Sequence, residues 1–338
     1  MSSNPRKELI SIVLSFYNEG EVIPELVRRL RDVFKDLDYD HELVFVNDCS
    51  TDNSLDVLIE KSKGSEDIKI LNTSRNFGHM PCIYAGLEAT TGDAVIYMDA
   101  DLQDPPELIP EMIKAWKSEN DVEVVFTTRT HRDGEGFFKL WLTKWGYRIL
   151  KFATEISIQE NSGDFRLVSR KAANELLKFK EKMPFFRFLV AWIGFKQKQV
   201  FYRREERFAG KTHFSIFSRK VYTQFLEISL VPFSDKPMKI SLLLGMLTSI
   251  FAFLYLVYIL ITRFGFGEHL PGWSPIMVTI LGLGGVQFIV IGILGLYIAS
   301  IHKEVKARPN CIIKERIGFP DSWCFQGPMG FEFKTYII

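Results

Sequence analysis

Two stretches of this chain carry no charged residue over a length that can span a bilayer. Ile240–Thr262 runs for 23 residues and Pro275–Ile301 for 27 without an Asp, Glu, Lys or Arg. A helix needs about 20 apolar residues to cross a hydrocarbon core, and the core helix of a soluble protein is rarely apolar on every side. Both runs are therefore read as transmembrane helices joined by the short loop Arg263–Ser274. Arg219, Lys220, Lys236 and Lys239 precede the pair, and Lys303, Lys306, Arg308 and Lys314 follow it. Positive residues mark the cytoplasmic side, so both ends are expected there and the loop outside. Gly282, Gly284, Gly285, Gly292 and Gly295 give the second run small faces suited to helix–helix contact, which makes a homo-oligomer a candidate assembly.

The rest of the chain is long enough for one large domain. Its net charge of +1 gives no field for nucleic acid. Cys49, Cys82, Cys311 and Cys324 are scattered without metal-type spacing, which fits reduced thiols facing a cytosol. Met1–Glu8 is polar and lacks the apolar core of a signal peptide, so the first domain is expected in the cytoplasm.

From Leu9 onward, apolar runs alternate with amphipathic ones. Strands are expected at Leu9–Phe16, Glu42–Val46, Ile68–Asn72 and Ala94–Met98, and helices at Val22–Leu37, Ser54–Ser62, Met80–Thr90 and Pro105–Ser118. Short connections between them imply an open α/β sheet with parallel strands. Ligands bind beyond the C-terminal ends of such strands. Those ends carry Tyr17-Asn18-Glu19, Asp48 to Asp52, Arg75 to Gly78 and Asp99 to Asp104. No Gly-x-Gly-x-x-Gly follows the first strand and no phosphate-loop motif occurs, so a glycine cradle for phosphate is absent.

The fourth strand delivers Asp99-Ala100-Asp101-Leu102-Gln103-Asp104-Pro105-Pro106. Three carboxylates and an amide at a strand's end suit a hard cation, Mg²⁺ or Mn²⁺, which takes its remaining ligands from substrate phosphates and water. An acidic turn leading into the next helix is the other reading of the same residues.

Taken with Phe16-Tyr17-Asn18-Glu19 and Asn47-Asp48-Cys49-Ser50-Thr51-Asp52, this octapeptide resembles the motifs of family 2 glycosyltransferases of the GT-A type. The resemblance implies an α/β nucleotide-sugar-binding domain with a mainly parallel sheet and a nucleotide-sugar donor. It puts Phe16, Tyr17, Glu19, Asp48, Arg75, Asp99 and Ala100 at the nucleotide sugar, and Asp101 and Gln103, with Asp99, at the metal.

A further strand is expected at Val122–Arg129. Residues 133–160 are rich in aromatics beside Lys and Arg, which reads either as a membrane interface segment or as a packed helix pair. Asn161–Leu167 is expected as a loop, with Asp164 after a glycine and a helix starting near Ser169. Asp164 is either a turn residue or the carboxylate opposite the leaving diphosphate, and the resemblance makes it the catalytic Asp. A phosphate acceptor is largely ionised near neutral pH, so this carboxylate orients it more than it deprotonates it.

Phe185–Trp192 reads as a helix and Gln197–Tyr202 as a strand. The run Arg203–His213 is either a solvated charged loop or a phosphate-binding one. Its Arg207-x-x-Gly210-x-Thr212-His213 resembles the Arg-x-x-Gly-x-Ser/Thr-Lys loop of polyprenyl-phosphate glycosyltransferases, with His213 in the place of the lysine. That resemblance implies that Arg129, Arg204, Arg207, Lys211 and His213 hold an acceptor phosphate. Lys303–Pro309 continues the likeness, and residues after Pro320 carry no motif.

The sequence thus predicts a cytoplasmic catalytic domain (1–214), a juxtamembrane amphipathic helix (215–239), two transmembrane helices (240–301) and a cytoplasmic tail (302–338). The expected activity is inverting transfer of one hexose from a nucleotide sugar, with UDP-glucose as first choice, to a polyprenyl phosphate such as undecaprenyl phosphate. GDP-mannose transfer to dolichyl phosphate is the alternative. A processive polysaccharide synthase is disfavoured because no Gln-x-x-Arg-Trp follows Asp164. A non-catalytic membrane scaffold has no reason to keep Asp99, Asp101, Gln103 and Asp164 together.

Overall fold

The computed structural model describes residues 6–130, 162–179, 181, 186–203, 234, 236–265 and 272–320. These fall into two compact units, one from residues 6–203 and 308–320 and one from residues 234–307.

The first unit is built on an eight-stranded sheet in the order β7-β5-β6-β4-β1-β2-β3-β8. Its strands are β1 (Leu9–Phe16), β2 (Asp40–Asn47), β3 (Ile68–Thr73), β4 (Ala94–Asp99), β5 (Val122–Arg129), β6 (Ser162–Ser169), β7 (Lys196–Tyr202) and β8 (Ile313–Ile317). The helices are α1 (Ile23–Lys35), α2 (Ser54–Ser62), α3 (His79–Ala89), α4 (Ile109–Lys117), α5 (Arg170–Leu177) and α6 (Phe186–Trp192). β1 pairs in parallel with β2 and β4, and β2 with β3, as the strand–helix alternation predicts. β5 and β7 are also parallel. The sheet is mixed, because β6 runs antiparallel between β4 and β5, and β8 antiparallel along β3.

β1 is buried along nearly its whole length, as expected of a central parallel strand covered on both faces. Its two serines sit in that apolar run for different reasons. At the strand's beginning, the Ser11 hydroxyl donates to Glu42 Oε1 (2.6 Å) and accepts from the Gly92 amide (2.9 Å). Glu42 is itself buried and also accepts from Lys69 Nζ (2.5 Å) and the Thr91 amide (2.7 Å). Burial pushes the Glu42 pKa up, but these partners outweigh it and hold it below the usual value. Ser15, near the other end, meets a histidine described below. One end of β1 is thus tied by a structural carboxylate and the other opens towards polar chemistry.

α1 buries Ile23, Leu26, Val27, Leu30 and Phe34 against the sheet, the face its periodicity predicts. α3 lies closer. Gly86 faces β1 so tightly that an added Cβ would stand 2.3 Å from Val13 Cγ1 and 3.1 Å from Val46 Cγ2.

The second unit contains α7 (Lys236–Gly265) and α8 (Trp273–Val305), packed on each other. The Tyr297 hydroxyl donates to the Ser234 carbonyl (2.5 Å). Within them, Lys236–Tyr258 and Thr279–Val305 are each long and apolar enough to cross a membrane. Leu242, Phe251, Phe253, Phe288 and Ile298 are exposed. Among the described residues, a Cβ at Gly282, Gly284, Gly285, Gly292 or Gly295 meets no atom within 4 Å.

The Gly86–Val13 contact yields a test. Gly86→Ala should destabilise the first unit by about 1–3 kcal/mol through overpacking, despite the helix-propensity gain of the alanine. Denaturant unfolding of Gly86→Ala, Val13→Ala and the double variant checks it: the pair should couple favourably, because removing the valine methyls clears the clash.

Candidate active site

Strand direction decides what meets at one edge of the sheet. β1 to β4 are mutually parallel, and two reversals through β6 bring β5 and β7 back to the same sense. The C-terminal ends of β1 to β5 and β7 therefore share an edge. β6 is reversed, so it brings its first residues, Ser162, Gly163 and Asp164, to that same edge. The sequence reading put Asp164 in a loop; the structure puts it in a strand. β6 pairs Tyr97 with Arg166, and its first residues, with Asp164, lie towards the end of β4 that carries Asp99.

The loops after β1 and β2 are joined by hydrogen bonds. Asn18 Oδ1 accepts from the Thr51 amide (2.8 Å), and the amides of Asn18 and Glu19 donate to Ser50 Oγ (3.0 Å) and Ser54 Oγ (2.8 Å). Asn18, Cys49 and Leu102 have φ of 58°, 58° and 57°. A left-handed non-glycine backbone costs free energy, and here one such residue follows each of β1, β2 and β4.

Asp48 is buried, and its two oxygens accept from the amides of Phe77 (2.6 Å) and Gly78 (2.9 Å). It thereby holds the β3–α3 loop. Gly78 has φ of 98°, a value that favours glycine, and presents its amide to Asp48 there. Arg75 lies on this loop, exposed, with its guanidinium 4.0 Å from the centroid of the Phe77 ring. The loop ends at His79, the first residue of α3. His79 Nδ1 lies 2.5 Å from Ser15 Oγ, and Nε2 lies 3.4 Å from Asp99 Oδ1.

Beyond Asp99, the Gln103 amide donates to Asp101 Oδ1 (3.1 Å). Asp104 is fully buried, with the Tyr202 hydroxyl donating to its Oδ1. Arg129 Nε donates to the same hydroxyl (3.2 Å). Burial, with the Asp104 charge, pushes Tyr202 up to about 12, so it stays a protonated donor. A Cβ at Gly163 would lie 3.3 Å from Thr127 Oγ1 and 3.4 Å from the Tyr202 hydroxyl.

Asp164 is held by one group. Arg187 of α6 donates from Nε to Oδ1 and from Nη2 to Oδ2, each at 2.7 Å. The side chains are 19% and 25% exposed. Burial alone would raise the Asp164 pKa. The charge and hydrogen bonds of Arg187 outweigh it, His79 and Arg166 add to them, and the carboxyl is held at about 2.

Of the residues singled out from sequence, Tyr17, Glu19, Asp48, Arg75, Asp99, Asp101, Gln103, Arg129 and Asp164 all belong to this edge. Phe16 and Ala100 contribute buried side chains to the core, with Phe16 edge-on to Phe45 at 6.3 Å. Only their backbone is left for a ligand. Arg204, Arg207, Lys211 and His213 lie outside the described residues, as do the aromatic segment 133–160 and the amphipathic stretch 215–230. Sequence reasoning missed His79, Tyr202 and Arg187. For Arg187 a signal was present: a single charge inside Phe185-Phe186-Arg187-Phe188-Leu189-Val190-Ala191-Trp192 is either paired or functional.

An α/β sheet with carboxylates at its strand ends and no glycine cradle fits an enzyme acting on nucleotide sugars. Residues 11–177 match the family described as Glycosyl transferase family 2. The chain is 42% identical over 308 residues to the uncharacterized glycosyltransferase YkcC of Bacillus subtilis, covering 91% of this chain and 94% of that protein. It is 36% identical over 307 residues to the bactoprenol glucosyl transferase of Shigella phage SfX, covering 91% and 99%. Among solved structures, glucosyl-3-phosphoglycerate synthase from Mycobacterium tuberculosis overlays with a TM-score of 0.46 at 21% identity, over 66% of this chain and 80% of that one. The chain belongs to glycosyltransferase family 2 and is a glycosyltransferase.

The role of Asp48 can be checked directly. Asp48→Ala removes the acceptors of the Phe77 and Gly78 amides, and a lost hydrogen bond to a charged group costs about 1.5–3 kcal/mol. Amide hydrogen exchange over residues 75–80 should accelerate by about tenfold or more, while exchange in β1 and β4 stays slow.

Proposed function

We propose that this protein transfers a single hexose from a nucleotide sugar to a polyprenyl phosphate at the cytoplasmic face of a membrane, with inversion at the anomeric carbon. The observation that carries the reading is the 36% identity to a bactoprenol glucosyl transferase across 99% of that protein's length. It also makes UDP-glucose the first donor to test, ahead of GDP-mannose. The two long apolar helices α7 and α8 support it further, because a polyprenyl chain stays in the bilayer and its enzyme must go to it. Both are taken to span the membrane, with residues 1–214 and 302–338 on the cytoplasmic side.

In this reading Tyr17, Glu19 and Arg75 flank the nucleoside, and Asp48 supports it by fixing the loop that carries Arg75. Asp99, Asp101 and Gln103 face the diphosphate. Among the described residues no group of three or more His, Cys, Asp or Glu is close enough to hold an ion unaided. A few oxygen ligands with phosphate and water completing the shell is the arrangement Mg²⁺ and Mn²⁺ accept, so these residues fit such an ion. When bound it neutralises charge on the leaving diphosphate. Asp164, at the same edge as Asp99, orients the acceptor phosphate for attack opposite the leaving group. Arg129, with Arg204, Arg207, Lys211 and His213, is assigned to that phosphate.

The purified full-length protein should be incubated with Mg²⁺ or Mn²⁺, undecaprenyl phosphate and a panel of labelled UDP- and GDP-sugars, and the lipid extracted. One labelled glucosyl lipid is the expected product. A mannosyl lipid from GDP-mannose would overturn the donor assignment, and water-soluble polymer would favour a processive synthase. Asp101→Ala should abolish metal-dependent turnover in a folded protein. Asp164→Asn should leave donor binding intact and cut transfer by orders of magnitude.

The pH profile adds an independent check. Asp164, held at about 2, is ionised throughout the working range. A phosphate monoester takes its second charge near pH 6. The rate should therefore fall as pH drops through about 6, from protonation of the acceptor. The residual activity of Asp164→Asn should show the same inflection. An inflection that disappears in that variant would make Asp164 the titrating base.

A further inference from the structure

Arg187 is the one charged residue of α6, a helix otherwise made of Phe186, Phe188, Leu189, Val190, Ala191 and Trp192. Phe186, Phe188, Leu189 and Val190 are buried, so the helix is anchored by its apolar side chains. Its arginine forks onto Asp164 through both carboxylate oxygens. The pair is a quarter or less exposed, not sealed, and so can be reached from the site edge.

The other cations described near Asp164 are committed differently. Arg166 is 4% exposed and bonds the Gly163 carbonyl (3.3 Å). Arg129, assigned above to the same phosphate, bonds Tyr202 beside buried Asp104 and is not on Asp164. His79 lies between Ser15 and Asp99. An acceptor phosphate that must approach the sugar next to Asp99 and Asp164 meets two carboxylates. It cannot settle there unless a cation stands between it and Asp164. Arg187 already stands on that carboxylate, in the two-pronged geometry that a guanidinium uses equally for carboxylate and phosphate.

We infer that Arg187 receives the acceptor's phosphate, keeping a hold on Asp164 while turning part of its fork to the incoming anion, so that one cation stands between the two and Asp164 orients the phosphate through it. The inference rests on the polyprenyl-phosphate reading above. In the transfer, a phosphate oxygen forms the bond to the anomeric carbon, the bond from that carbon to the diphosphate oxygen breaks, and the nucleoside diphosphate leaves with the electron pair. Before the acceptor arrives, Asp164 has both oxygens on Arg187 and is poorly placed to orient a water at the same carbon. The pairing therefore suppresses wasteful donor hydrolysis until an acceptor phosphate is in place.

The test uses the full-length protein in lipid nanodiscs as wild type, Arg187→Gln, Arg187→Lys and Arg187→Gln combined with Asp164→Asn. Undecaprenyl-phosphate binding, nucleotide-sugar binding, transfer and acceptor-free hydrolysis of the donor are measured on each. Arg187→Gln should weaken the acceptor by about tenfold or more, leave nucleotide-sugar affinity within about twofold, and raise acceptor-free hydrolysis. Arg187→Lys, with a point charge but no fork, should fall between. The deciding measurement is the Asp164→Asn background. A phosphate-binding Arg187 still weakens the acceptor there when replaced by Gln, whereas an arginine that only holds Asp164 in place has no further effect, and that result overturns the inference. Should Arg187→Gln lose nucleotide-sugar binding through misfolding, Arg187→Lys decides by the same split between acceptor and donor. Wild type that neither binds nor glycosylates the lipid phosphate overturns the acceptor reading itself. Wild type and both Arg187 variants binding it equally overturns the Arg187 assignment alone.

Discussion

Acidic side chains crowd one edge of the sheet, and each has to be compensated. Asp48, Asp99, Asp101, Asp104 and Asp164 all reach the edge where β1 to β5 and β7 end and β6 begins. Asp48 is held by two backbone amides. Asp104 is held by the Tyr202 hydroxyl with Arg129 behind it. Asp99 faces His79, and Asp164 takes the whole fork of Arg187. Like charges gathered at one edge repel, so Asp99 and Asp164 depend on the histidine and the arginine that face them. The partners come from the β3–α3 loop, α3, β5, α6 and β7, and this distributes the site over most of the first unit.

The reversed strand β6 makes that arrangement possible. A parallel strand in its place would bring its end, not its beginning, to the edge, and the helix that follows would start where Asp164 stands. Running backward, β6 delivers Gly163 and Asp164 first, then buries Phe165, Leu167 and Val168 in the sheet. It ends at Ser169, whose hydroxyl accepts from the Ala172 amide and caps α5. One strand thus places a carboxylate beside Asp99, fills the core and starts the next helix.

The sheet's other edge is closed from far along the chain. β8 follows α8 in sequence yet pairs with β3, where the Asn72 side-chain amide donates to Glu315 Oε2 (2.9 Å) across 243 residues. Asn72 also accepts from Asn47 (3.0 Å), and the Asn47 side chain in turn accepts from the Ser50 amide (3.0 Å). The segment expected to be a plain C-terminal tail therefore supports the loop after β2 through a chain of one carboxylate and two amide side chains. An exposed parallel edge would otherwise invite pairing with other strands.

The sequence by itself determined the parts whose physics is local. Apolar runs of strand length, the periodic face of α1, the two long charge-free runs within α7 and α8 and the polar character of each strand end could all be read from neighbouring residues. So could the acidic octapeptide and its likeness to a known family, since Asp, Gln and Pro at fixed spacing need no tertiary contact to be recognised. Only the tertiary structure decided which side chains those loops spend on themselves. Asp48 also holds a neighbouring loop, the side chains of Phe16 and Ala100 are buried in the core, and Asp164 lies in a reversed strand and not in a loop. Arg187, His79 and Tyr202 entered the site from elements that sequence spacing does not connect to it. The reason is that strand direction and cross-strand register are settled by burial and hydrogen bonding between residues tens to hundreds of positions apart, and a charged side chain's role depends on the partner it finds there.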